Sequence, residues 1–126
     1  MSTSQRNAAS LEDPQAIWET YTQSWKAKGR EAKLALFADS LNDDCEYRDP
    51  TIHTKGWEEL AQNMANFHEQ IPGGHFVTTW FLAHHGRSIA KWNMCDEAGT
   101  KLSEGVSYGE YDAYGRLLSM TGFFEA

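Results

Sequence analysis

The chain has 126 residues, enough for one domain and too few for two well-packed ones. Its formal net charge is −7, which argues against the basic surface that binds nucleic acid or an anionic membrane. No stretch approaches the roughly 18 apolar residues of a membrane-spanning helix, and the polar residues 1–10 lack the apolar segment of a signal peptide. We therefore expect a cytoplasmic protein with neither a nucleic-acid nor a membrane partner.

The beginning of the chain predicts a tail followed by two helices. Residues 1–11 are rich in Ser, Gln, Asn and Ala, which predicts a disordered tail before a single domain over residues 12–126. Asp13 and Pro14 predict a helix start, since Asp can accept free amides and Pro suits the first helical position. Gly29 predicts the end of this helix. The apolar stripe of the first helix consists of Ile17, Trp18, Tyr21 and Trp25, and that of a second, shorter helix consists of Leu34, Phe37 and Leu41.

Residues 44–49 alternate in the manner of a strand, with Cys45, Tyr47 and Asp49 on one face. A carboxylate that faces an apolar interior is costly to ionise, which suits a base that takes a proton next to a carbonyl. The alternative is that Asp49 caps the loop that follows it or pairs with Arg48 or a nearby Lys.

The rest of the chain predicts one long helix and four antiparallel strands. The helix follows Gly56, and its stripe consists of Trp57, Leu60, Met64, Phe67 and Ile71. The strands cover residues 75–84, 87–95, 101–111 and 116–124, joined by hairpin loops. Helices beside an antiparallel sheet are typical of an α+β fold, here a cone in which a strongly bent antiparallel sheet wraps around the helices. Gly105, Ser107 and Gly109 share one face, where small residues leave a cavity or mark a bend.

Five short segments carry a family resemblance. They are the run from Tyr21 to Gly29, Leu36-Phe37-Ala38-Asp39, Tyr47-Arg48-Asp49-Pro50, Gly56 before the long helix, and the run from Gly115 to Phe123. In this order and spacing, over residues 12–125, they resemble the nuclear transport factor 2-like superfamily. Within it they are most similar to the ketosteroid isomerase and SnoaL-like polyketide cyclase branch, which implies an NTF2-like, cystatin-like cone with an apolar pocket.

The resemblance implies roles for three residues. Asp49 matches the general base of ketosteroid isomerases, and Tyr21 matches the tyrosine that donates to the developing enolate oxygen. The alternative for Tyr21, which lies on the buried stripe of its helix, is a core tyrosine without contact to a ligand. A second, protonated Asp completes that oxyanion site in the isomerases. Its position falls on Ser107 in this chain, so the third acidic group is missing.

Further candidates for contact with a ligand are Tyr47, Trp92, Ser107, His75 and Met64. Trp92 is core, pocket wall or dimer surface by its strand position, and Trp80 shares strand parity with Phe76. His75 is one of two histidines of opposite parity on its strand, so at most one of them faces the interior. Surface or hairpin-end histidines are the alternative. No His pair has the spacing of a metal site, and we expect neither a metal nor a cofactor.

These patterns leave two functions open. The first is a cofactor-independent enzyme that moves a proton next to the carbonyl of a small apolar ligand, as in isomerases or cyclases. The second is a non-catalytic binding or dimerisation module, since a fold does not fix a function. The strand over residues 75–84 is apolar on both faces, and the resemblance implies that a second subunit covers one of them, giving a homodimer.

Overall fold

The computed structural model describes residues 13–126, so the predicted tail lies outside the described residues. This part of the chain contains three helices and six strands. In chain order they are α1 (Pro14–Lys26), α2 (Arg30–Ser40), β1 (Leu41–Asp49), β2 (Ile52–Lys55), α3 (Gly56–Gln70), β3 (His75–His84), β4 (Arg87–Cys95), β5 (Lys101–Tyr111) and β6 (Leu117–Phe123). None of the helices over residues 13–126 has both the length and the apolar character needed to cross a bilayer.

The strands form one open sheet in the order β2-β1-β6-β5-β4-β3. The predicted α+β class is confirmed, but the sheet is mixed rather than wholly antiparallel, because β1 and β6 pair in parallel. Parallel neighbours need a long connection, and here β2, α3 and three strands lie between them. The edge strand β2, at residues Ile52–Lys55, was not predicted.

Three side chains fix the ends of α1. Asp13 accepts the amide of Ala16 at 3.0 Å, as the sequence predicts. At the other end α1 stops at Lys26, and Gly29 precedes α2 with a φ of 88°. The buried Lys33 ammonium donates to the carbonyls of Ser24 and Ala27, while His68 Nε2 lies 2.5 Å from the carbonyl of Trp25. These groups satisfy carbonyls that an α-helix leaves free, and they hold α1 against α2 and α3.

A bulge in β3 changes which side chains face outward. The pairing of β3 with β4 shifts between Thr78 and Trp80, so Thr79 is an extra residue in the strand. The predicted shared parity of Trp80 and Phe76 is therefore wrong. Phe76 packs against the core, whereas Trp80 is 41% exposed on the outer face, with the Lys91 ammonium 5.1 Å from its ring centroid.

The Lys33→Met variant tests how much these terminal contacts stabilise α1. Methionine keeps much of the buried volume but leaves the carbonyls of Ser24 and Ala27 without their donor. We expect the free energy of unfolding in urea to fall by about 1–3 kcal/mol. The control is Lys28→Met, which changes an exposed side chain that forms a surface ion pair with Glu97. Equal loss in both variants would contradict a specific role for Lys33.

Candidate functional site

A cavity of about 380 Å³ opens between α1, α3 and the inner face of the sheet. Its charged wall residues are Asp49 and Glu125, both acidic, and its polar wall includes Asn63, Asn66 and Gln70 from α3. Six aromatic side chains line it: Trp25, Tyr47, Phe67, Phe76, Trp92 and Phe124. Neighbouring rings meet mostly edge to face, for example Phe76 and Trp92 with centroids 5.0 Å apart. We call this space the outer cavity.

Asp49 reaches the outer cavity because of the alternation in β1. Cys45 and Tyr47 are buried, Asp49 is half-buried, and Arg48 between them is exposed, so the predicted inward face of the strand is confirmed. Arg48 forms an ion pair with Glu46 at 2.7 Å and not with Asp49.

Four hydrogen bonds hold the Asp49 carboxylate. Oδ1 accepts the amide of Thr51 at 2.8 Å, its hydroxyl at 2.7 Å and the amide of Ile52 at 3.2 Å. Oδ2 accepts the hydroxyl of Tyr47 at 2.6 Å. Asp49 therefore caps the turn between β1 and β2, as the alternative interpretation has it, and also lines the cavity. Oδ1 is occupied, whereas Oδ2 has one partner among the described residues and can accept another hydrogen bond.

Burial keeps the hydroxyl of Tyr47 protonated. Desolvation raises the pKa of Tyr47 above its ordinary value, and the nearby Tyr21 and the hydrogen bond to Asp49 raise it further. Tyr47 is therefore a permanent donor to Oδ2 at neutral pH.

A second, smaller cavity of about 30 Å³ lies beside the outer cavity. Trp25, Tyr47, Phe76 and Trp92 line both spaces. The remaining residues around this inner cavity are Trp18, Tyr21, Thr22 and Ser107. Because the two cavities share these four side chains, Asp49 and Tyr21 line neighbouring cavities.

Two tryptophans orient the hydroxyls of the inner cavity. Trp25 Nε1 donates to Tyr21 Oη at 3.0 Å, and Trp92 Nε1 donates to Ser107 Oγ at 3.0 Å. Burial raises the pKa of Tyr21, although the hydrogen bond from Trp25 opposes this shift. Each hydroxyl oxygen therefore accepts a hydrogen bond from a tryptophan, and its own O–H group can still donate one.

Glycines on β5 and β6 leave the room that this arrangement needs. A Cβ on Gly105 would lie 2.4 Å from the ring of Trp92, so the indole occupies the space above this residue. A Cβ on Gly122 would lie 3.6 Å from Ser107 Oγ and 3.7 Å from Asp49 Cβ, which places these two residues on either side of Gly122. Of the predicted small-residue face of β5, Ser107 lines the inner cavity, and Gly105 leaves the space that the Trp92 ring occupies.

His75 and Met64 lie outside both cavities. His75 Nδ1 lies 3.1 Å from the carbonyl of Gly73, and Met64 is fully buried in the core. The face of α3 that lines the outer cavity instead carries Phe67 and three polar amide side chains. Phe67 belongs to the apolar stripe seen in the sequence. The three amide side chains are polar and follow no apolar periodicity, so no sequence pattern predicts that they line a cavity.

Within residues 13–126 no group of three or more His, Cys, Asp or Glu side chains could hold a metal ion. No protein-family model and no curated protein matches the sequence.

Solved structures match the chain closely in fold. One is assigned as an isomerase of the SnoaL-like family from Agrobacterium tumefaciens, with 20% identity, a TM-score of 0.80, and coverage of 88% of this chain and 96% of that chain. Another, assigned as a ketosteroid isomerase from Kribbella flavida, is 19% identical with a TM-score of 0.67 over 92% and 80% of the two chains. A third, assigned as a polyketide cyclase from Sinorhizobium meliloti, is 7% identical with a TM-score of 0.68 over 85% and 93%. Structures described as NTF2-like proteins match the chain as well, so it has the nuclear transport factor 2-like fold, and the resemblance is confirmed at this level.

The Gly105→Ala variant tests whether the space above Gly105 orients Trp92. The new methyl group would collide with the indole and weaken its hydrogen bond to Ser107. We expect a loss of about 1–3 kcal/mol in the free energy of unfolding and a shift of the Trp92 indole N–H resonance in NMR spectra. Ser103→Ala, on the same strand, is the control and leaves that resonance in place. An unshifted resonance in Gly105→Ala would contradict the proposed packing.

Proposed function

We propose that this chain is a cofactor-independent enzyme of ketosteroid isomerase or polyketide cyclase type. It moves a proton next to a carbonyl group of a small, largely apolar molecule. The observation that carries the proposal is the Asp49 carboxylate on the wall of an aromatic cavity, with Tyr21 and Ser107 on the wall of the smaller cavity beside it. Solved structures of the same fold that are assigned as isomerases and cyclases agree with this reaction class.

In the proposed reaction Asp49 is the general base. Its Oδ2 takes a proton from the carbon next to the carbonyl, and the C–H electron pair forms the C=C bond of an enolate. The negative charge moves to the carbonyl oxygen, which accepts a hydrogen bond from Tyr21. The protonated Asp49 then returns the proton to a carbon of the same molecule, so no cofactor or external reductant is needed.

The hydrogen bonds of Asp49 suit this role. Thr51 and Ile52 fix Oδ1, so the carboxylate cannot rotate freely, and Tyr47 orients Oδ2. Ser107 provides a hydroxyl where ketosteroid isomerases have a protonated Asp. A serine is a weaker hydrogen-bond acid, so we expect weaker stabilisation of the enolate than in those isomerases and little activity on steroids.

Hydrogen–deuterium exchange of a simple ketone tests the proposal without knowledge of the substrate. The methyl protons of acetophenone exchange in D₂O through the enolate, and NMR follows their loss. We expect the wild-type protein to accelerate this exchange and Asp49→Asn to reduce the acceleration by at least about 100-fold, the usual minimum for a general base.

The control for this test is Asp44→Asn, which changes an exposed carboxylate on the same strand. Its exchange rate should equal that of the wild type. Undiminished exchange in Asp49→Asn would contradict the catalytic role of Asp49.

The alternative function is a non-catalytic ligand-binding module on the same fold. Two observations favour it: Asp49 has structural hydrogen bonds in the β1–β2 turn, and Ser107 replaces the expected acid. A wild-type protein that binds acetophenone but does not accelerate its exchange would support this alternative.

We further propose that the chain forms a homodimer through the outer face of the sheet. Val77, Trp80, Leu82 and Ile89 are between 39% and 56% exposed there, and Leu82 and Ile89 are partners on adjacent strands. The same face carries basic residues on β4 and acidic residues on β5, namely Arg87, Lys91, Glu104 and Glu110. A face with both signs of charge can pair with a second copy of itself about a two-fold axis.

Light scattering tests the homodimer. We expect the wild-type protein to have twice the chain mass, and Leu82→Glu to be a folded monomer because it places a charge in the apolar interface. Tyr114→Glu, in the exposed loop between β5 and β6, is the control and should remain a dimer. A stable dimer should remain associated at a concentration on the order of tens of micromolar. A wild-type protein that is a monomer at that concentration would contradict the proposal.

A further inference from the structure

The outer cavity carries negative charge on its wall without a matching cation. Asp49 and Glu125 line it, and among residues 13–126 none of the other side chains that line it is a Lys, an Arg or a His. Arg48, beside Asp49 in β1, pairs with Glu46 instead. A cleft lined by charges of one sign concentrates ions of the opposite sign, and the net charge of −7 adds to this attraction.

Glu125 is the wall carboxylate that has room for a partner. It is exposed, and within residues 13–126 it has neither a hydrogen bond nor an ion pair. Asp49, by contrast, already accepts four hydrogen bonds. Lys91 is on the outer face of the sheet, where its ammonium lies 5.1 Å from the ring centroid of Trp80. A cation supplied by a ligand can therefore pair with Glu125 and leave Asp49 as the base.

Aromatic rings surround the same space in several orientations. Phe67 and Phe76 stack at an interplanar angle of 23°. Trp92 stands at 84° to Phe76 and at 69° to Phe124, whose ring centroid is 6.1 Å from its own. The face of an aromatic ring attracts a cation, most strongly when the ring is that of a tryptophan. Because Glu125 follows Phe124 in the chain, the unpaired carboxylate is next to this ring pair.

We propose that the outer cavity binds a ligand with an apolar body and a cationic ammonium group. The ammonium group lies against the rings of Trp92 and Phe124 and pairs with Glu125. The proposal rests on the proposed function in that both use the outer cavity, and it narrows the substrate class to carbonyl compounds that also carry an amine. A cavity of about 380 Å³ is large enough for a small molecule of this kind.

The charges on the wall disfavour ligands of other kinds. A carboxylate or phosphate ligand would be repelled by Asp49 and Glu125, and no cation on the wall would compensate. A neutral apolar ligand would fit the aromatic wall but would gain nothing from its charge. A cation loses hydration when it enters the cavity, and the rings and the carboxylates offset that cost.

The test compares two ligands that differ in charge and hardly in shape. Phenyltrimethylammonium has a quaternary nitrogen where tert-butylbenzene has a carbon. An NMR titration that follows the indole resonances of Trp25 and Trp92 measures both affinities. Since water hydrates the cation more strongly, a cavity that does not recognise cations would bind the neutral compound more tightly. We expect the wild-type protein to bind the cation more tightly.

Two variants remove the proposed contacts one at a time. Glu125→Gln removes the charge and keeps the size of the side chain, and we expect it to weaken cation binding by about 2- to 5-fold, as for an exposed ion pair. Phe124→Leu removes the ring and keeps an apolar side chain, with a similar loss expected for an exposed cation–π contact. A change in packing affects both ligands, so the ratio of their affinities isolates the effect of the charge.

Each variant has a control with the same substitution elsewhere. Glu31→Gln changes the net charge by the same amount on α2, at a residue that does not line the outer cavity. Phe123→Leu changes a side chain that is 56% exposed and does not line this cavity either. Both controls should keep the affinity ratio of the wild type.

The proposal would be overturned by a wild-type protein that does not bind the cation or that binds the neutral compound more tightly. An affinity ratio that either Glu125→Gln or Phe124→Leu leaves unchanged would overturn it as well. Failure of the proposed function is a separate result, because it is measured by the exchange of acetophenone protons in Asp49→Asn. Selective cation binding together with undiminished exchange in Asp49→Asn would support the cation site and remove the role of Asp49 as base.

Discussion

The hydrogen bond from Tyr47 to Asp49 links the fold of this protein to its candidate chemistry. It joins two residues on the inward face of β1, and it holds the carboxylate against an aromatic cavity at an O···O distance of 2.6 Å. The other oxygen of Asp49 caps the turn into β2, so the same carboxylate terminates the strand. The position of the candidate base is therefore set by the local structure of the strand end, which does not depend on a bound ligand.

The tryptophans complete the site in different ways. Trp25 and Trp92 contribute their rings to the outer cavity and their N–H groups to Tyr21 and Ser107. Trp18 contributes to the wall of the inner cavity, while its N–H has no hydrogen-bond partner within residues 13–126. The donors of Trp25 and Trp92 hold the two hydroxyls in place. A buried donor without an acceptor lowers the stability of the fold.

Periodicity predicted the elements whose side chains alternate cleanly between core and solvent. The apolar stripe of α1, the long stripe of α3 and the inward face of β1 all agree with the burial of these elements. The strand β2 gave no signal, because its four residues are mostly polar and lie at the edge of the sheet. The parallel pairing of β1 with β6 depends on contacts between residues far apart in the chain, and no local pattern reports it.

Where the predicted position of a side chain is wrong, the cause is a local feature of the structure that the sequence does not reveal. The bulge at Thr79 reversed the parity that had placed Trp80 with Phe76. Met64 belongs to the predicted stripe of α3, but this stripe is wide enough to face both the core and the cavity, and Met64 is on the core side. The position of Asp49 could be predicted from strand parity, whereas the unpartnered N–H of Trp18 became visible only once its surroundings were known.

The most direct measurement of the central claim is a crystal structure of the protein with acetophenone bound. The account predicts the ketone oxygen in the inner cavity, within hydrogen-bond distance of Tyr21 Oη, and the methyl carbon facing Asp49 Oδ2. A ketone that binds outside the aromatic walls, or one with its oxygen turned toward Asn63 and Asn66, would contradict the account.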